Sequence, residues 1–453
     1  MKGGWRLAAR NLGRNRRRNL ATGLAVAFGF AGLALLGGYV THAEAFLRIN
    51  AVYLQHGGHV VVYRTEGLDK SVARPSRYSL TRAAQSAVLA AAGADTRIAF
   101  VAGYLKGMGL AGNGCRSVPF FALGIDPEVQ RRILTDPQVL ASSAELARPV
   151  RGRPLFEFAG VDGRIGLAAG LAALLGKTRV HDDFGGPVPV TPLPSCTGRE
   201  AAAAFASDAS VQLAGMTFDG SVTAMDADVV NIFHTPSADT EDQVIQATLP
   251  MLQRLYDTDA VTYMAVFLHD WRDTGAVAAG LRTRLRAAGV AADVYVFSDE
   301  RVNPYYAGSM AFIRSMAGFI VLIVAAVVIL GVLNSTTLTV YERSRELGTL
   351  RALGYTKSQV SGLIIREVTL LATLGVVCGL GLAHGVAGAV SLVGVSISPP
   401  GVPGAMKVVV TPGVWDSLML AALLLPLSLA VAWAVVRRRL RERTADLLIS
   451  VNA

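Results

Sequence analysis

Residues Val340–Gln359 have the sequence VYERSRELGTLRALGYTKSQ, the strongly charged stretch that separates two long apolar runs. Leu347, Leu350 and Leu353 recur every three residues, and this spacing gives a helix one apolar face. Charged side chains occupy the rest of the circumference. We therefore predict an amphipathic helix over Val340–Gly354.

A second helix is predicted directly after the first. Gly354 stands where a helix often ends in a left-handed residue. Thr356 and Gln359 have the spacing of a capping box, and the apolar sequence from about Leu363 follows them. The stretch therefore predicts helix, tight turn, helix at a membrane surface. On physical grounds alone, such a first helix could equally rest on lipid or pack on its own chain.

The composition of the chain indicates a membrane protein. Of 453 residues, 52% are hydrophobic and only 17% are charged, with a mean hydropathy of +0.42. Four runs account for this: Leu20–Ala43, Met316–Val340, Val368–Met406 and Ser417–Val436. Each is long enough to cross about 30 Å of hydrocarbon as a helix. The first is too long for a cleavable signal peptide and ends in bulky, charged sequence, so we expect a membrane span.

We predict four transmembrane α-helices with a large α+β extracytoplasmic domain between the first and the second. The predicted division of the chain is a cytoplasmic amphipathic N-terminal helix at 1–19, transmembrane helix 1 at 20–43, the extracytoplasmic domain at 44–306, a stalk and transmembrane helix 2 at 307–340, a cytoplasmic helix at 341–360, transmembrane helix 3 at 361–395, an extracytoplasmic loop at 396–416, transmembrane helix 4 at 417–436 and a cytoplasmic tail at 437–453.

Basic residues predict which side of the membrane each segment faces. Three groups of them lie ahead of the first run, in the central stretch and after the last run: Lys2, Arg6, Arg10, Arg14, Arg16, Arg17 and Arg18; Arg343, Arg345, Arg351 and Lys357; Arg437, Arg438, Arg439, Arg441 and Arg443. We expect all three groups in the cytoplasm. Much of the net charge of +10 then faces the anionic leaflet, so we expect membrane lipids, and no nucleic acid, as its partner.

The segment 44–306 has the alternations of a folded α+β domain. Two strand–helix–strand patterns are predicted, at Gly58–Tyr63, Leu80–Ala92 and Arg97–Ala102 and again at Val261–Leu268, Thr274–Ala288 and Asp293–Phe297. Their separation predicts one split α/β subdomain with a second subdomain inserted in it. Within the insert, Asp219-Gly220-Ser221 predicts a hairpin turn between strands at Val211–Phe218 and Val222–Phe233.

Three features suggest chemistry, and each has a plainer interpretation. Cys115 and Cys196 both fall in the predicted extracytoplasmic domain, where a disulfide and two unpaired thiols are equally compatible with the sequence. The stretch Gly170–Thr178 has five residues between its glycines where a phosphate loop has four, so we interpret it as a helix at Leu167–Leu175 ended by glycine. His384, flanked by glycines in the third run, is expected to be a helix-packing histidine rather than a pathway residue.

No enzyme site is expected. The seven histidines and three cysteines show no metal-ligand spacing, and no nucleophile elbow or pair of catalytic carboxylates stands out. We therefore predict no catalytic, cofactor-binding or metal-binding residues in this chain.

The stretch YERSRELGTLRALGYTKSQV resembles the cytoplasmic helix of FtsX/MacB-like permeases of ABC systems, which has the pattern E-R-x-R-E-[IL]-G-x-L-R-A-[IL]-G. The similarity covers Glu342, Arg343, Arg345, Glu346, Leu347, Gly348, Leu350, Arg351, Ala352, Leu353 and Gly354. The opening WRLAARNLGRNRRRNLATGLAVAFGFA and the segments HVVVY, FFALGIDPE and DGSVTAMDADVVNIFHT also resemble the family. They are most similar to the lipoprotein-releasing LolC/LolE-type permeases.

This resemblance implies a MacB-type periplasmic domain, a bacterial cell inner membrane location and a non-catalytic permease subunit. The positions above, apart from Ala352, would couple to a cytoplasmic ABC ATPase dimer, which would bind ATP and Mg while this chain holds no cofactor. A second permease chain, identical or different, a lipoprotein or other hydrophobic cargo and a periplasmic acceptor would be further partners. The implied function is release of lipoprotein or lipid-linked cargo by ATP-driven motion. The alternatives are MacB-like efflux of peptides or antibiotics and FtsX-like activation of a cell-wall hydrolase.

Overall fold

The computed structural model describes residues 16–177, 179–181, 208–397 and 406–439, together with Trp5, Ala8, Arg10, Asn11 and Gly13. The chain divides into two compact units. A helical unit takes the described parts of 1–44, 310–395 and 408–453, and a mixed α/β unit takes those of 45–309 and 396–407.

Thirteen helices and twelve strands are defined within these residues. In chain order the helices are α1 (Arg16–Ile49), α2 (Gly67–Lys70), α3 (Pro75–Tyr78), α4 (Arg82–Gly93), α5 (Pro127–Leu134), α6 (Pro137–Ala147), α7 (Ala169–Leu174), α8 (Leu249–Leu255), α9 (Thr274–Ala287), α10 (Pro304–Glu342), α11 (Ser344–Ala352), α12 (Lys357–Val393) and α13 (Val414–Arg439). The strands are β1 (Val60–Arg64), β2 (Ile98–Gly112), β3 (Ser117–Ile125), β4 (Arg151–Gly152), β5 (Arg164–Ala168), β6 (Ser210–Met216), β7 (Val222–Phe233), β8 (Val244–Thr248), β9 (Tyr263–Leu268), β10 (Ala292–Val296), β11 (Ser396–Ile397) and β12 (Met406–Lys407). A π-helical turn, Asn50–Leu54, continues α1.

Four of these helices, α1, α10, α12 and α13, are long and apolar enough to cross a membrane. The prediction of four spans, with the α/β segment between the first and second, is thereby confirmed. The 39 residues of α10 would measure about 58 Å at 1.5 Å per residue, well beyond a hydrocarbon core of about 30 Å. The predicted stalk is therefore part of one continuous helix with the second span.

Helix α1 packs against the other three long helices. Phe30 and Ala34 of α1 are buried with Ala383 of α12 and Leu424 of α13, and side chains of α10 close the same cluster. Because α1 contacts every other span, its small and medium side chains determine how tightly the helical unit packs.

Two glycines of α12 allow its close approach to α1. A Cβ atom at Gly379 would lie 2.5 Å from the carbonyl oxygen of Ala27, and one at Gly375 would lie 2.8 Å from a methyl of Val26. By contrast, a Cβ atom at Gly381 would meet nothing within 4 Å. Among these three glycines, close packing is thus limited to Gly375 and Gly379, on one face of the helix.

The α/β unit contains the predicted split subdomain. Its strands follow the order β10-β1-β9-β2, all neighbouring pairs antiparallel, and α4 and α9 provide the connections within each half. This is the order of a ferredoxin-like β-α-β-β-α-β fold. Val88 of α4 and Leu281 of α9 are fully buried against Val62 and Val266 of the sheet.

The inserted subdomain shares strand β2 with the split subdomain. Residues 98–104 of β2 pair with β9, whereas residues 105–112 pair with β3 and 109–112 also with β6. The predicted hairpin of β6 and β7 is present, with Gly220 at φ +94° in its turn. A second core between these strands, α7 and α8 is built on Leu167, Leu213 and Leu252.

Two sequence predictions in this unit need correction or stay open. The helix expected at Leu167–Leu175 begins only at Ala169, because Leu167 and Ala168 are the last residues of β5 and pair with β7. Gly176 ends that helix with φ +63°, as expected. Cys115 is in a disulfide, and since Cys196 lies outside the described residues, its pairing with Cys115 stays a prediction.

Candidate coupling site

The charged stretch of the sequence forms a break and a short helix. Helix α10 ends at Glu342, Arg343 leaves helical geometry with φ −103° and ψ 13°, and α11 begins at Ser344. The single helix expected over Val340–Gly354 is therefore wrong at its start. The first turn of the predicted helix belongs to α10, because the backbone leaves helical geometry at Arg343. The side chain of Arg343 forms its hydrogen bonds with residues outside α10.

Arg343 is the centre of an ion-pair network. Its Nη1 donates to both carboxylate oxygens of Glu367, at 2.9 and 3.0 Å, and its Nε donates to Glu346 at 2.9 Å. Asn11 also donates to Glu367, at 2.5 Å. The side chain of Glu367 is only 11% exposed. The network thus joins the end of α10, the first turn of α11, the start of α12 and the segment ahead of α1.

A polar cavity of about 260 Å³ lies beside this network within the helical unit. Hydroxyl and amide side chains of α1 and α10 line it, among them Asn19, Thr22, Ser335, Thr336 and Thr339. A charge pair beside membrane spans is costly unless polar groups surround it. The cavity lining supplies such groups next to the carboxylate.

One face of α11 is buried. Leu347 is 1% exposed and packs with Val340 of α10, Val360 and Ile364 of α12, and Val436 of α13. This packing excludes the interpretation that the helix rests on lipid alone. It packs α11 against three of the long helices.

The opposite face and the following turn are exposed. Arg345, Glu346, Gly354 and Tyr355 are exposed, and Leu353 is 73% exposed. The prediction that Leu353 shares an apolar face with Leu347 is wrong, because α11 ends at Ala352 and Leu353 lies in the turn that follows it.

Residues in this turn and at the start of α12 have the predicted backbone conformation and capping. Gly354 adopts φ +95°, which confirms its left-handed conformation. Thr356 and Gln359 form the predicted capping box at the start of α12.

Three further predicted residues lie outside the turn. Gly348 is buried with Leu347, Leu350 is partly buried against the same cluster, and Glu342 is exposed at the end of α10.

Arg351 lies between the two faces. It is half-buried, and its Nη1 atom is buried with no hydrogen-bond partner among the described residues. Its charge therefore belongs to the packed side of α11 rather than to the exposed face.

The comparisons with known proteins concern both units. A family model described as the FtsX-like permease C-terminal domain matches residues 318–444, a range that contains α11, its turn and most of the three last long helices. Residues 318–444 are an FtsX-like permease domain. This match indicates a membrane permease, in agreement with the four long apolar helices of the described residues.

Solved structures similar to the chain are single domains of transporters. One is the extracellular domain of the noncanonic ABC-type transporter YknZ from Gram-positive bacteria, at 12% identity and a TM-score of 0.32, covering 52% of this chain and 98% of that one. Another is the periplasmic region of MacB from Actinobacillus actinomycetemcomitans, at 11% identity and a TM-score of 0.32, covering 53% of this chain and 90% of that one. Similarities at this level carry no functional argument. No curated protein sequence matches the chain significantly.

Glu367 and Asn11 were missed from the sequence. Glu367 lies inside the predicted third span, 361–395, and an ionisable residue there is costly unless paired. The cost of an unpaired charge in a membrane span is the sequence feature that indicates a partner for Glu367. Asn11 gave no signal, because a single amide in a basic segment is common.

Proposed function

We propose that the chain is the permease subunit of an ABC transporter in which a separate cytoplasmic ATPase moves α11, and the long helices carry that motion to the extracytoplasmic α/β unit. The network of Arg343, Glu346 and Glu367 is the observation that carries this proposal. It links α11 to both α10 and α12 by charge-assisted hydrogen bonds, which are shorter and stronger than hydrogen bonds between neutral groups. A displacement of α11 would then move α10 and α12 with it, instead of bending the chain at Arg343.

The exposed face of α11 is the proposed contact with the ATPase. Leu353 and Tyr355 are large apolar groups in water at the turn, and Arg345 adds a charge beside them. Tyrosine and arginine are enriched in binding hot spots, which supports Tyr355 and Arg345 as contacts. The buried face is already used by the chain itself, so only this side remains for a partner.

The proposed cargo is a lipoprotein or another lipid-linked molecule, released from the outer leaflet of the inner membrane. The resemblance to LolC/LolE-type permeases supports this cargo. In this scheme ATP and Mg are bound by the partner ATPase.

Depletion of the chain in its own bacterium tests the cargo. Cells are labelled with radioactive palmitate, and labelled lipoproteins are followed in the cytoplasmic membrane and in the fractions outside it. We expect labelled lipoprotein to accumulate in the cytoplasmic membrane and to leave it again when the chain is restored. An unchanged distribution would exclude lipoprotein release.

A further inference from the structure

A large cavity lies within the α/β unit, far in sequence from the coupling site. Its volume is about 550 Å³, within the range of cavities that hold whole small-molecule ligands. It is bordered by the segment that follows α1, by the middle of β2 and β3, and by the segment ahead of α10.

The walls of the cavity are mainly apolar. Large side chains in these walls include Leu54, Val61, Met108, Phe121, Tyr263 and Phe297. Met108 and Phe121 are each almost half exposed, although they sit on neighbouring strands of a folded sheet. Apolar groups left in contact with water in a concave site gain free energy when an alkyl chain covers them.

Lys106 is the one charged side chain among the described residues that line this cavity. Its Nζ lies 5.1 Å from the centre of the Tyr263 ring, and no carboxylate of the described residues lies within 4.0 Å of it. The Lys106 side chain is exposed to solvent, and partial desolvation by the surrounding protein lowers the pKa of its ammonium group. A cation in such a place is stabilised by an anion that enters with its own apolar cover.

Hydrogen bonds fix the cavity border formed by the two chain segments that lead to the first and second spans. Asn303 Nδ2 donates to Gln55 Oε1 at 2.9 Å, and the backbone N–H of Tyr306 donates to Asn303 Oδ1 at 2.9 Å. Gln55 in turn donates to Asn50 at 3.0 Å. These hydrogen bonds between Asn50, Gln55 and Asn303 order the border of the cavity.

We propose that this cavity binds a single-chain anionic amphiphile, with its carboxylate paired to Lys106 and its alkyl chain along Met108, Phe121 and Phe297. The charge of Lys106 selects an anion, and the apolar walls select a chain long enough to cover them. An uncharged alcohol of equal length satisfies only the second condition, and a short carboxylate only the first. The site is separate from α11, so its occupancy does not depend on the proposed coupling to an ATPase.

The test uses the full chain in lipid nanodiscs without any ATPase, titrated calorimetrically with decanoate and corrected with empty nanodiscs. We expect one saturable site per chain, binding of decanol roughly 10-fold weaker or more, and no binding of butyrate. Lys106→Met should weaken decanoate binding to the level of decanol and leave decanol binding unchanged.

Two further variants separate the site from general effects of mutation. Lys70→Met is the matched control, because Lys70 is an exposed lysine paired with Glu66 at 2.8 Å and does not line the cavity. It should bind decanoate as the unmodified chain does. Val72→Trp, at an exposed lining position, should weaken decanoate and decanol alike by filling the cavity.

Equal decanoate affinity in the Lys106→Met and unmodified chains would overturn the proposal, as would the absence of a saturable site. Either result would leave the proposed permease function untouched, since that function is measured by cargo release and ATPase binding.

Discussion

Arg343 and Glu367 lie 24 residues apart and are joined by two hydrogen bonds of 2.9 and 3.0 Å. Both side chains are largely buried, at 20% and 11% exposure. The pair therefore joins the break after α10 to the beginning of α12. In the proposed function, this junction lies beside the contact with the ATPase.

Removal of the charge on Glu367 should destabilise this junction. Glu367→Gln keeps the size of the side chain but leaves Arg343 largely buried beside a neutral amide. Loss of the partner of a buried pair costs about 3–5 kcal/mol when the remaining charge is uncompensated, and the cost here should be smaller because Arg343 keeps Glu346. We expect a lower melting temperature of the purified chain and loss of transport.

Arg366→Gln is the control for that substitution, since Arg366 is the neighbouring residue on the same helix and forms no ion pair with any described residue. It should melt as the unmodified chain does. A Glu367→Gln variant with unchanged melting temperature would show that the pair has no structural role.

The exposed turn after α11 should decide whether the ATPase binds. Leu353→Asn removes an apolar group that is 73% exposed, so the fold loses little while a partner loses an anchor. We expect co-purification of the ATPase to fall roughly 10-fold or more, which is at least about 1.4 kcal/mol of binding free energy. Val222→Asn, at an 86% exposed position of β7, should leave co-purification unchanged. Retention of the ATPase by a folded Leu353→Asn chain would move the contact elsewhere.

Close packing of α12 on α1 should be sensitive to one methyl group. Gly379→Ala places a Cβ atom 2.5 Å from the backbone oxygen of Ala27, and overpacking of this kind costs about 1–3 kcal/mol. Gly381→Ala, on the open side of the same helix, should cost nothing measurable. Thermal unfolding in one detergent compares the two variants, and equal melting temperatures would contradict the packing described for Gly379.

The α/β unit should lose stability in mild acid. Burial lowers the pKa of both His56 and His59 to about 4, from about 6.5 in the unfolded chain. His59 Nδ1 accepts a hydrogen bond from the N–H of Leu268 at 3.0 Å and must stay unprotonated to do so. The folded state therefore binds fewer protons than the unfolded state. Stability should be full above pH 6.5, should fall as the pH drops to about 4, and should not change further from this source below that.

The size of that loss is on the order of 3 kcal/mol for each histidine, because a pKa difference of one corresponds to 1.36 kcal/mol. His56→Asn is the informative variant, because His56 has φ +57° and asparagine tolerates the left-handed region. Its unfolding midpoint should depend less on pH between 6.5 and 4 than that of the unmodified chain. An unchanged pH dependence would remove His56 as a source.

Local patterns predicted the elements that depend on local chemistry. The capping box of Thr356 and the left-handed Gly354 were predicted because capping involves residues only a few positions apart. The split β-α-β subdomain followed from two similar patterns far apart in the chain. The four spans followed from length and apolarity alone.

The errors arose where distant residues decide the structure. Helix periodicity placed Leu353 with Leu347, but the helix ends at Ala352 and the turn leaves Leu353 in solvent. The position of the break at Arg343 depends on Glu367, a partner that lies on another helix. Residues Leu167 and Ala168 had helical composition, yet pairing with β7 holds them in a strand.

The 15 residues of β2 have a consequence for how the α/β unit comes apart. The backbone of β2 hydrogen-bonds to strands of both subdomains. Neither subdomain can therefore unfold without loss of strand pairing in the other. A force applied at either end of β2 acts on the hydrogen bonds of this one strand. The two subdomains should therefore melt in one cooperative event, and damage to one should weaken the other.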